Sequence, residues 1–191
     1  MPGDYFQKFA QWRLLLTLIM THPGKKLLFM GGEFAQFSEW AYEKQLDWHL
    51  FDYESHKKGN DYFKKLAKIY RQEEALYKWD LNPETFEWLV VDDKDQSVFM
   101  YMRHSDKEHL VVILNMTPNV HHGYEVGVPF KGEYVELLNS DVEAYYGSNL
   151  YNGLPLQTID EPRHHKPYHI KVTIGPLCGI ILKYRGANHE I

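Results

Sequence analysis

The chain has almost no cysteine, no excess of positive charge and no long apolar run. Cys178 is the single cysteine among 191 residues, so neither an internal disulfide nor a thiolate metal cluster can form. Because it follows Leu177 in an apolar segment, we expect it to be a small core residue in a strand and not a nucleophile. The net charge of −5, with scattered Lys and Arg, predicts no nucleic-acid partner and favours a neutral substrate.

The longest apolar run near the N-terminus is also too short to cross a membrane. Leu14–Leu16 extends through Thr17 to Met20, but Lys8 and Arg13 lie in helical register with it and no cleavage-site pattern is present. These features argue against a signal peptide and against a membrane span. We therefore predict no membrane partner and a cytoplasmic location.

Histidine is the one plentiful metal-ligating residue type, with eleven copies. Two pairs stand out, His121-His122 and His164-His165, and His169 follows the second pair. Pro167 excludes the helix on which the spacing of that second group would align ligands, so we expect solvated loop histidines and no metal. Gly31-Gly32 lacks the third glycine and the Lys-Ser/Thr pair of nucleotide-binding loops, so no cofactor is expected.

Aromatic residues are abundant, at 15% of the chain with five Trp and 14 Tyr. Each ring offers a large apolar face, and Tyr and Trp add a polar group. Such rings suit stacking against sugars as well as core packing, although core packing is the commoner role for any single ring.

The first part of the chain has the pattern of an α/β unit. Asp4 followed by Gln7 is an N-cap signature, and the apolar spacing behind it predicts a helix from about Tyr5 to Met20. Pro23 and its neighbours end that helix. Leu27–Met30 is wholly apolar between charges and a glycine pair, which predicts a strand buried on both faces, as in a parallel sheet.

A long loop and a second helix follow this predicted strand. The loop runs from Gly31 to Gly59, and Asn60 or Asp61 is predicted to cap the helix behind it. A parallel strand needs neighbours joined through crossover helices. Since only one helix precedes the strand, we expect the sequence to begin inside a larger domain.

From Pro83 onward the pattern changes to short runs rich in Val, Ile, Tyr and Phe, separated by turn residues. No helical pattern interrupts them, which predicts an antiparallel β-sandwich with a domain boundary near residues 80 to 85. The predicted strands are Phe86–Val91, Gln96–Met102, His109–Leu114, Tyr124–Val128, Glu133–Leu138, His169–Ile174 and Gly179–Lys183.

Glu33 directly follows the predicted buried strand, a position that in a β/α barrel lies on the active-site face. It either lines a site or makes a structural hydrogen bond or ion pair. Glycoside chemistry through a covalent intermediate needs two carboxyl groups about 5–5.5 Å apart, and Glu33, Glu39 and Asp47 offer no convincing pair. Leu46-Asp47-Trp48 suits sugar binding, with a carboxylate beside an indole, but Trp48 would equally well plug its loop onto a barrel.

Several segments resemble, in order and over essentially the whole chain, the C-terminal part of bacterial 1,4-α-glucan (glycogen) branching enzymes, of the α-amylase superfamily. These segments are Met1–Asp4, His22–Gln36, Glu39-Trp40, Leu46–Trp48 and Leu137–Asp141. The resemblance implies an α+β composite fold. Residues 1–82 would form the end of a (β/α)8 barrel (helix, strand 8, loop, helix 8), and residues 83–191 the C-terminal β-sandwich domain.

The resemblance also implies an activity that this chain does not carry alone. The family moves an α-1,4-glucan segment to a 6-hydroxyl in glycogen biosynthesis, and its catalytic carboxylates lie upstream of the position matching Met1, so the chain alone is expected to be inactive. The stretch Glu43–Gln45 departs from the family pattern, which leaves the detailed contacts of that loop open. The residues carried over as glucan-contact candidates are Glu33, Trp40, Leu46, Asp47 and Trp48.

Two other functions remain open at this point. One is a non-catalytic protein that binds glucan through its β-sandwich, and the other is the C-terminal part of a related α-glucan hydrolase. A chain of this kind is also expected to expose unpaired strand edges and apolar surface, and therefore to associate with itself.

Overall fold

The computed structural model describes residues 1–186 and shows three α-helices and eight β-strands in that range. Four short 3₁₀ helices lie between them, at Gly32–Phe34, Trp48–Asp52, Pro83–Thr85 and Glu143–Tyr145. The helices are α1 (Tyr5–Thr21), α2 (Glu54–Gln72) and α3 (Glu74–Tyr77). The strands are β1 (Phe86–Asp93), β2 (Val98–His104), β3 (His109–Asn115), β4 (His121–Val128), β5 (Glu133–Asn139), β6 (Leu156–Gln157), β7 (Tyr168–Ile174) and β8 (Gly179–Tyr184).

Helix α1 begins where the sequence predicts. The Asp4 carboxylate accepts from the Gln7 backbone N–H at 2.8 Å, and the Gln7 side-chain oxygen accepts from the Asp4 N–H at 3.1 Å. This reciprocal pair satisfies two N–H groups that have no partner inside the helix. In the described chain no helix has both the length and the apolar character needed to cross a membrane.

Helix α2 begins at Glu54, so the predicted start at Asn60 or Asp61 is wrong. Gly59 had been interpreted as the end of a loop, but it lies inside the helix. A Cβ built on Gly59 would lie 2.7 Å from Cζ3 of the Trp12 ring. The glycine is therefore explained by the close approach of α1 and α2, which a side chain would prevent.

The predicted strand over Leu27–Met30 is also wrong. The segment has no strand pairing, and Leu27 and Phe29 are 75% and 59% exposed. A strand takes its hydrogen bonds from neighbouring strands, and the pairings found within residues 1–186 all lie beyond residue 85. The apolar pattern of this segment therefore has nothing to pair with or to pack into here.

The antiparallel β-sandwich is confirmed, and each of the seven predicted strands is present within a residue or a few of its predicted limits. The larger sheet has the order β1-β2-β3-β8-β5-β6, and β4 pairs with β7 in the smaller sheet. Strand β6, with two residues, is not among the seven predicted strands. The core between the sheets includes Met100, Ile113, Val126 and Val172, each fully buried.

The helices cover the outer face of the larger sheet. Phe9 of α1 and Leu66 of α2 belong to one buried cluster with Leu110 of β3 and Ile181 of β8. The Arg13 guanidinium, which is fully buried, donates from Nε to the Ser140 carbonyl at 2.7 Å. The helical segment and the sandwich thus share a core, and the division at residue 82 stays a prediction.

Lys183 joins the two parts of the chain by a second, ionic contact. Its Nζ lies 2.5 Å from a Glu73 oxygen and 2.7 Å from a Glu108 oxygen. The other Glu108 oxygen accepts from the Ala75 backbone N–H at 2.9 Å. A cation on β8 therefore bridges carboxylates from the α2–α3 junction and from the β2–β3 turn.

Candidate functional site

The turn that carries Glu33 is held from behind by side chains of both long helices. Its three residues, Gly32–Phe34, form a 3₁₀ helix whose carbonyl oxygens each accept a hydrogen bond. In chain order the donors are Trp12 Nε1 at 3.1 Å, Asn60 Nδ2 at 3.0 Å and His56 Nδ1 at 2.7 Å. Because a carbonyl can only accept, His56 carries a proton on Nδ1.

The residues on either side of this turn both have a left-handed backbone conformation. Gly31 has φ 79° and Ala35 has φ 58°. A Cβ on Gly31 would also lie 2.8 Å from the Gln36 Cβ, so only glycine fits there. Glu33 is half-buried, and within residues 1–186 its side chain has no recorded hydrogen bond or ion pair. The described residues therefore supply no partner for the Glu33 side chain, and a structural hydrogen bond or ion pair to an adjacent barrel loop stays a prediction.

Asp47 is tied to the same turn. Its backbone N–H donates to the Gln36 side-chain oxygen at 2.9 Å, and one of its carboxylate oxygens accepts from the Ser38 hydroxyl. These contacts close the loop between residues 36 and 47, so that Asp47 returns to the turn that carries Glu33.

Trp48 directly follows Asp47, and its ring is packed against other rings but partly exposed. The indole stacks on Phe34, with ring centroids 5.4 Å apart, and lies nearly parallel to Phe51 at 6.3 Å. Phe34 is fully buried, whereas Trp48 is 51% exposed. Trp48 therefore anchors its loop and also presents a surface on which a sugar ring can stack.

The remaining two predicted residues are less closely joined to this arrangement. Leu46 is half-buried, and its carbonyl accepts from the Trp48 N–H at 2.8 Å. Trp40 is exposed and makes an edge-on ring contact with Phe29 at 5.5 Å. Trp40 thus lies with the exposed segment 27–30 and not in the stack of Phe34, Trp48 and Phe51.

The sequence interpretation missed the three side chains that hold the turn. Trp12 lies on α1, whereas His56 and Asn60 lie on α2, and Asn60 had been assigned as a helix cap. No spacing rule joins residues so far apart in the chain. The only available signal was that polar side chains on the inner face of a helix need buried partners.

The histidine clusters do not form a metal centre in the described part of the chain, where no three His, Cys, Asp or Glu side chains are placed to share an ion. Their surroundings agree only in part with the expected solvated loops. His164-His165 lies in a turn, and His122 and His165 are exposed. His121-His122, however, begins strand β4, and His169 is buried in β7, where its Nδ1 donates to the Glu161 carbonyl at 2.9 Å. The burial of His169 agrees with the strand predicted over His169–Ile174.

Cys178 is a core residue, as predicted. It is free and fully buried, and it comes directly before β8. Burial raises the pKa of its thiol to about 12, because the thiolate would lose its hydration. A group of that kind is almost entirely protonated at neutral pH and is a poor nucleophile.

Residues 88–185 match the family model described as the α-amylase C-terminal all-beta domain. The chain is also similar to proteins named 1,4-alpha-glucan branching enzyme. It is 48% identical to that of Geobacillus stearothermophilus over 185 residues, which cover 96% of this chain and 29% of the relative. It is 49% identical to that of Bacillus subtilis strain 168 over 193 residues, covering 100% of this chain and 31% of the relative. The chain therefore spans less than a third of the length of these relatives.

Solved structures with a similar fold include an α-amylase. The structure of AmyP in complex with maltose matches 96% of this chain and 36% of its own, with a TM-score of 0.67 and 12% identity. The α-amylase from Geobacillus thermoleovorans complexed with acarbose matches 93% of this chain and 33% of its own, with a TM-score of 0.65 and 18% identity. At these identities the likeness shows the fold alone.

Proposed function

The chain belongs to the family of the α-amylase C-terminal all-β domain, and from this we propose that it is the C-terminal part of a 1,4-α-glucan branching enzyme. The observation that carries the proposal is the identity of 48% over 96% of the chain. This similarity includes the helical segment, which lies outside residues 88–185, the range matched by the family model. Similarity confined to the sandwich would have supported no more than the general amylase family.

The proposed reaction has two steps that share one pair of carboxyl groups. A carboxylate attacks the anomeric carbon of an α-1,4 bond, while a carboxylic acid protonates the departing 4-oxygen. The 6-hydroxyl of an acceptor glucan then attacks the glycosyl–enzyme ester and gives up its proton to the second carboxylate. We place both groups in the part of the enzyme that this chain does not include, so the chain contributes binding surface and not the reacting groups.

Within this proposal the substrate is a neutral α-1,4-glucan, and five residues of the chain contact it. Trp48 supplies a stacking surface, and Asp47 and Glu33 supply carboxylate oxygens that accept from sugar hydroxyls. Leu46 and Trp40 complete the set. The rigid attachment of the Glu33 turn to both long helices supports this assignment, since a preorganised site loses less entropy on binding.

A hybrid enzyme tests the proposal. Residues 1–191 replace the matching segment of the G. stearothermophilus enzyme, and branching is followed by the shift of the iodine–glucan spectrum. We expect activity from the hybrid and none from the chain alone. A soluble, folded hybrid that leaves the spectrum unchanged contradicts the proposal, as does branching by the isolated chain. Release of reducing ends without branching would indicate a hydrolase instead.

We further propose that the isolated chain self-associates through its exposed apolar side chains, and that its location is cytoplasmic. The exposed side chains that support association include Leu27, Phe29, Met30 and Tyr42. Size-exclusion chromatography with light-scattering detection is expected to show species larger than a monomer. The chain is also expected to bind a hydrophobic dye. A monodisperse monomer that binds no dye contradicts this.

A further inference from the structure

Phe37 stands between two clefts that the predicted site residues do not line. A cleft of about 590 Å³ is lined in part by Tyr5, Phe37, Tyr53 and Tyr146. A second cleft of about 390 Å³ lies on the other side of Phe37, with Lys8 in its wall. We refer to the two together as the Phe37 groove. Because one exposed ring separates them, the shape suits an extended ligand that passes over the ring.

The aromatic rings of the groove are exposed but fixed. Phe37 and Tyr53 are 62% and 58% exposed. Phe37 packs at a steep angle against Tyr5, at 5.9 Å, and against His56, at 5.0 Å. The Tyr5 hydroxyl in turn lies 2.9 Å from the Ser55 hydroxyl. Rings held in this way offer flat apolar faces at little entropic cost, which is the requirement for stacking on a sugar ring.

The charge of the groove favours a neutral ligand. Glu54 in its wall is paired with Lys58 at 2.8 Å, and Lys8 is the one charged lining side chain that has no ion pair among the described residues. A nucleic acid or another polyanion would need several cations along its path. Other polar groups in the lining, such as the Tyr53 hydroxyl and the His49 ring, suit hydrogen bonds with hydroxyls.

The groove and the candidate site share a short helix. His49 and Leu50 line the groove, and both belong to the 3₁₀ helix Trp48–Asp52, whose first residue stacks on Phe34. Trp48 at the start of this helix and Tyr53 directly after it are both exposed. Because the two sites share this helix, a chain of several sugars matches them better than a single sugar does.

We propose that the Phe37 groove binds a segment of an α-1,4-glucan chain, beside the site formed by Glu33, Asp47 and Trp48 and not within it. The identity of the sugar rests on the proposed function, whereas the geometry of the groove does not. Other occupants of the groove, namely a second copy of the chain or the remainder of a longer polypeptide, are outcomes that the experiment separates.

The test uses the full 191-residue chain. Binding of maltoheptaose is followed by ligand-observed NMR, and binding of glycogen by retardation in affinity electrophoresis. Phe37→Ala and Tyr53→Ala are each expected to weaken binding roughly two- to tenfold, the range for one aromatic stacking contact. Phe37→Tyr is expected to retain binding because the stacking face is kept. Tyr151→Ala is the matched control, since Tyr151 is 53% exposed and lies outside the groove.

The outcomes are distinct. The proposal is overturned if the wild-type chain does not bind glucan. It is also overturned if Phe37→Ala and Tyr53→Ala bind glucan as tightly as Tyr151→Ala does. If these two variants change the oligomeric state on a sizing column but not glucan affinity, the groove is an interface between copies, which also overturns it. Urea unfolding of each variant is the control for folding, and a midpoint equal to that of the wild type shows that the variant is folded.

The hybrid enzyme separates this proposal from the proposed function. In an active hybrid, Phe37→Ala is expected to raise the KM for amylose two- to tenfold with kcat within twofold of wild type, because the ring binds remote from the reacting bond. An active hybrid that keeps its KM overturns the groove alone. An inactive hybrid, combined with Phe37-dependent glucan binding by the chain, overturns the branching assignment and leaves the groove in place.

Discussion

Lys183 lies between two nearly buried carboxylates and pairs with both of them. Replacing Lys183 with Met removes that cation. The Glu73 and Glu108 side chains that flank Lys183 are 12% and 11% exposed, whereas Lys183 itself is 28% exposed. Removing one partner of a fully buried pair costs about 3–5 kcal/mol. Because water reaches Lys183, we expect a smaller loss, about 2–3 kcal/mol of unfolding free energy at pH 7.5. For a chain of this size that corresponds to a fall in Tm of roughly 5–10 °C.

The size of this loss is expected to depend on pH. In the wild type, burial alone would raise the pKa of Glu108, but hydrogen bonds from Lys183 and from the Ala75 N–H outweigh it and the pKa is lowered. Stability from a lowered carboxyl pKa is present above the unfolded-state value, about 4.3, and is lost as the pH falls through the folded-state pKa. Burial raises the pKa of Glu73, so Glu73 opposes this trend in part.

In Lys183→Met the carboxyl pKa is shifted upward instead of downward, so the dependence of stability on pH reverses. Two neighbouring carboxylates without a cation raise the pKa of at least one of them above its unfolded-state value. Stability from a raised pKa is fully present below the unfolded-state value and is lost as the pH rises through the folded-state pKa. The difference in stability between wild type and variant is therefore expected to shrink as the pH falls from 7.5 toward 4.5.

Urea unfolding followed by tryptophan fluorescence at several pH values measures both effects. Lys131→Met is the matched control, because Lys131 pairs with Asp160 at 2.6 Å with side chains 59% and 61% exposed, and solvent screening leaves such a surface pair with little effect on stability. Adding Glu73→Gln to Lys183→Met is expected to recover part of the loss. The reasoning is refuted if Lys183→Met costs no more than Lys131→Met at pH 7.5, or if its cost does not vary with pH.

Three further outcomes follow from single contacts. Gly59→Ala places a Cβ 2.7 Å from the Trp12 ring, so overpacking of about 1–3 kcal/mol should outweigh the gain of about 1 kcal/mol in helix propensity; a higher urea midpoint would contradict this. Asn60→Ala leaves the Glu33 carbonyl without its 3.0 Å donor and should cost about 1–2 kcal/mol by the same assay, whereas an unchanged midpoint would show that water replaces the amide. Cys178 should react with a thiol reagent only at the rate of unfolding, because it is buried and its pKa is raised to about 12; immediate labelling of the folded chain would refute this.

Local sequence patterns were sufficient to predict the long strands of the β-sandwich. Short runs rich in Val, Ile, Tyr and Phe, bounded by turn residues, predict a strand wherever the neighbouring strands are supplied by the same chain, and β1–β5, β7 and β8 were found in this way. The reciprocal cap between Asp4 and Gln7 likewise depends on residues three apart. Strand β6, with only two residues, is too short to show such a run.

The candidate site was predicted only in part. The stretch from Glu33 to Trp48 stood out by its residue types, and the structure joins the Glu33 turn to Asp47 and to Trp48 through Gln36 and Phe34. The donors that hold the Glu33 turn come from two helices. A sequence pattern has no means of pairing them, since the contact is made by the packing of α1 on α2.

The amino-acid sequence alone determined the features that depend on composition or on neighbours close in the chain: the cap of α1, the apolar runs of the long strands and the lack of an internal disulfide. Tertiary structure decided the features that need a distant partner. Leu27–Met30 has the composition of a buried strand but no strand beside it. Gly59 was interpreted as the end of a loop, but it lies inside α2 where that helix packs closely on α1. Backbone hydrogen bonds and close packing are satisfied in space and not along the chain, so the same local pattern has different outcomes in different surroundings.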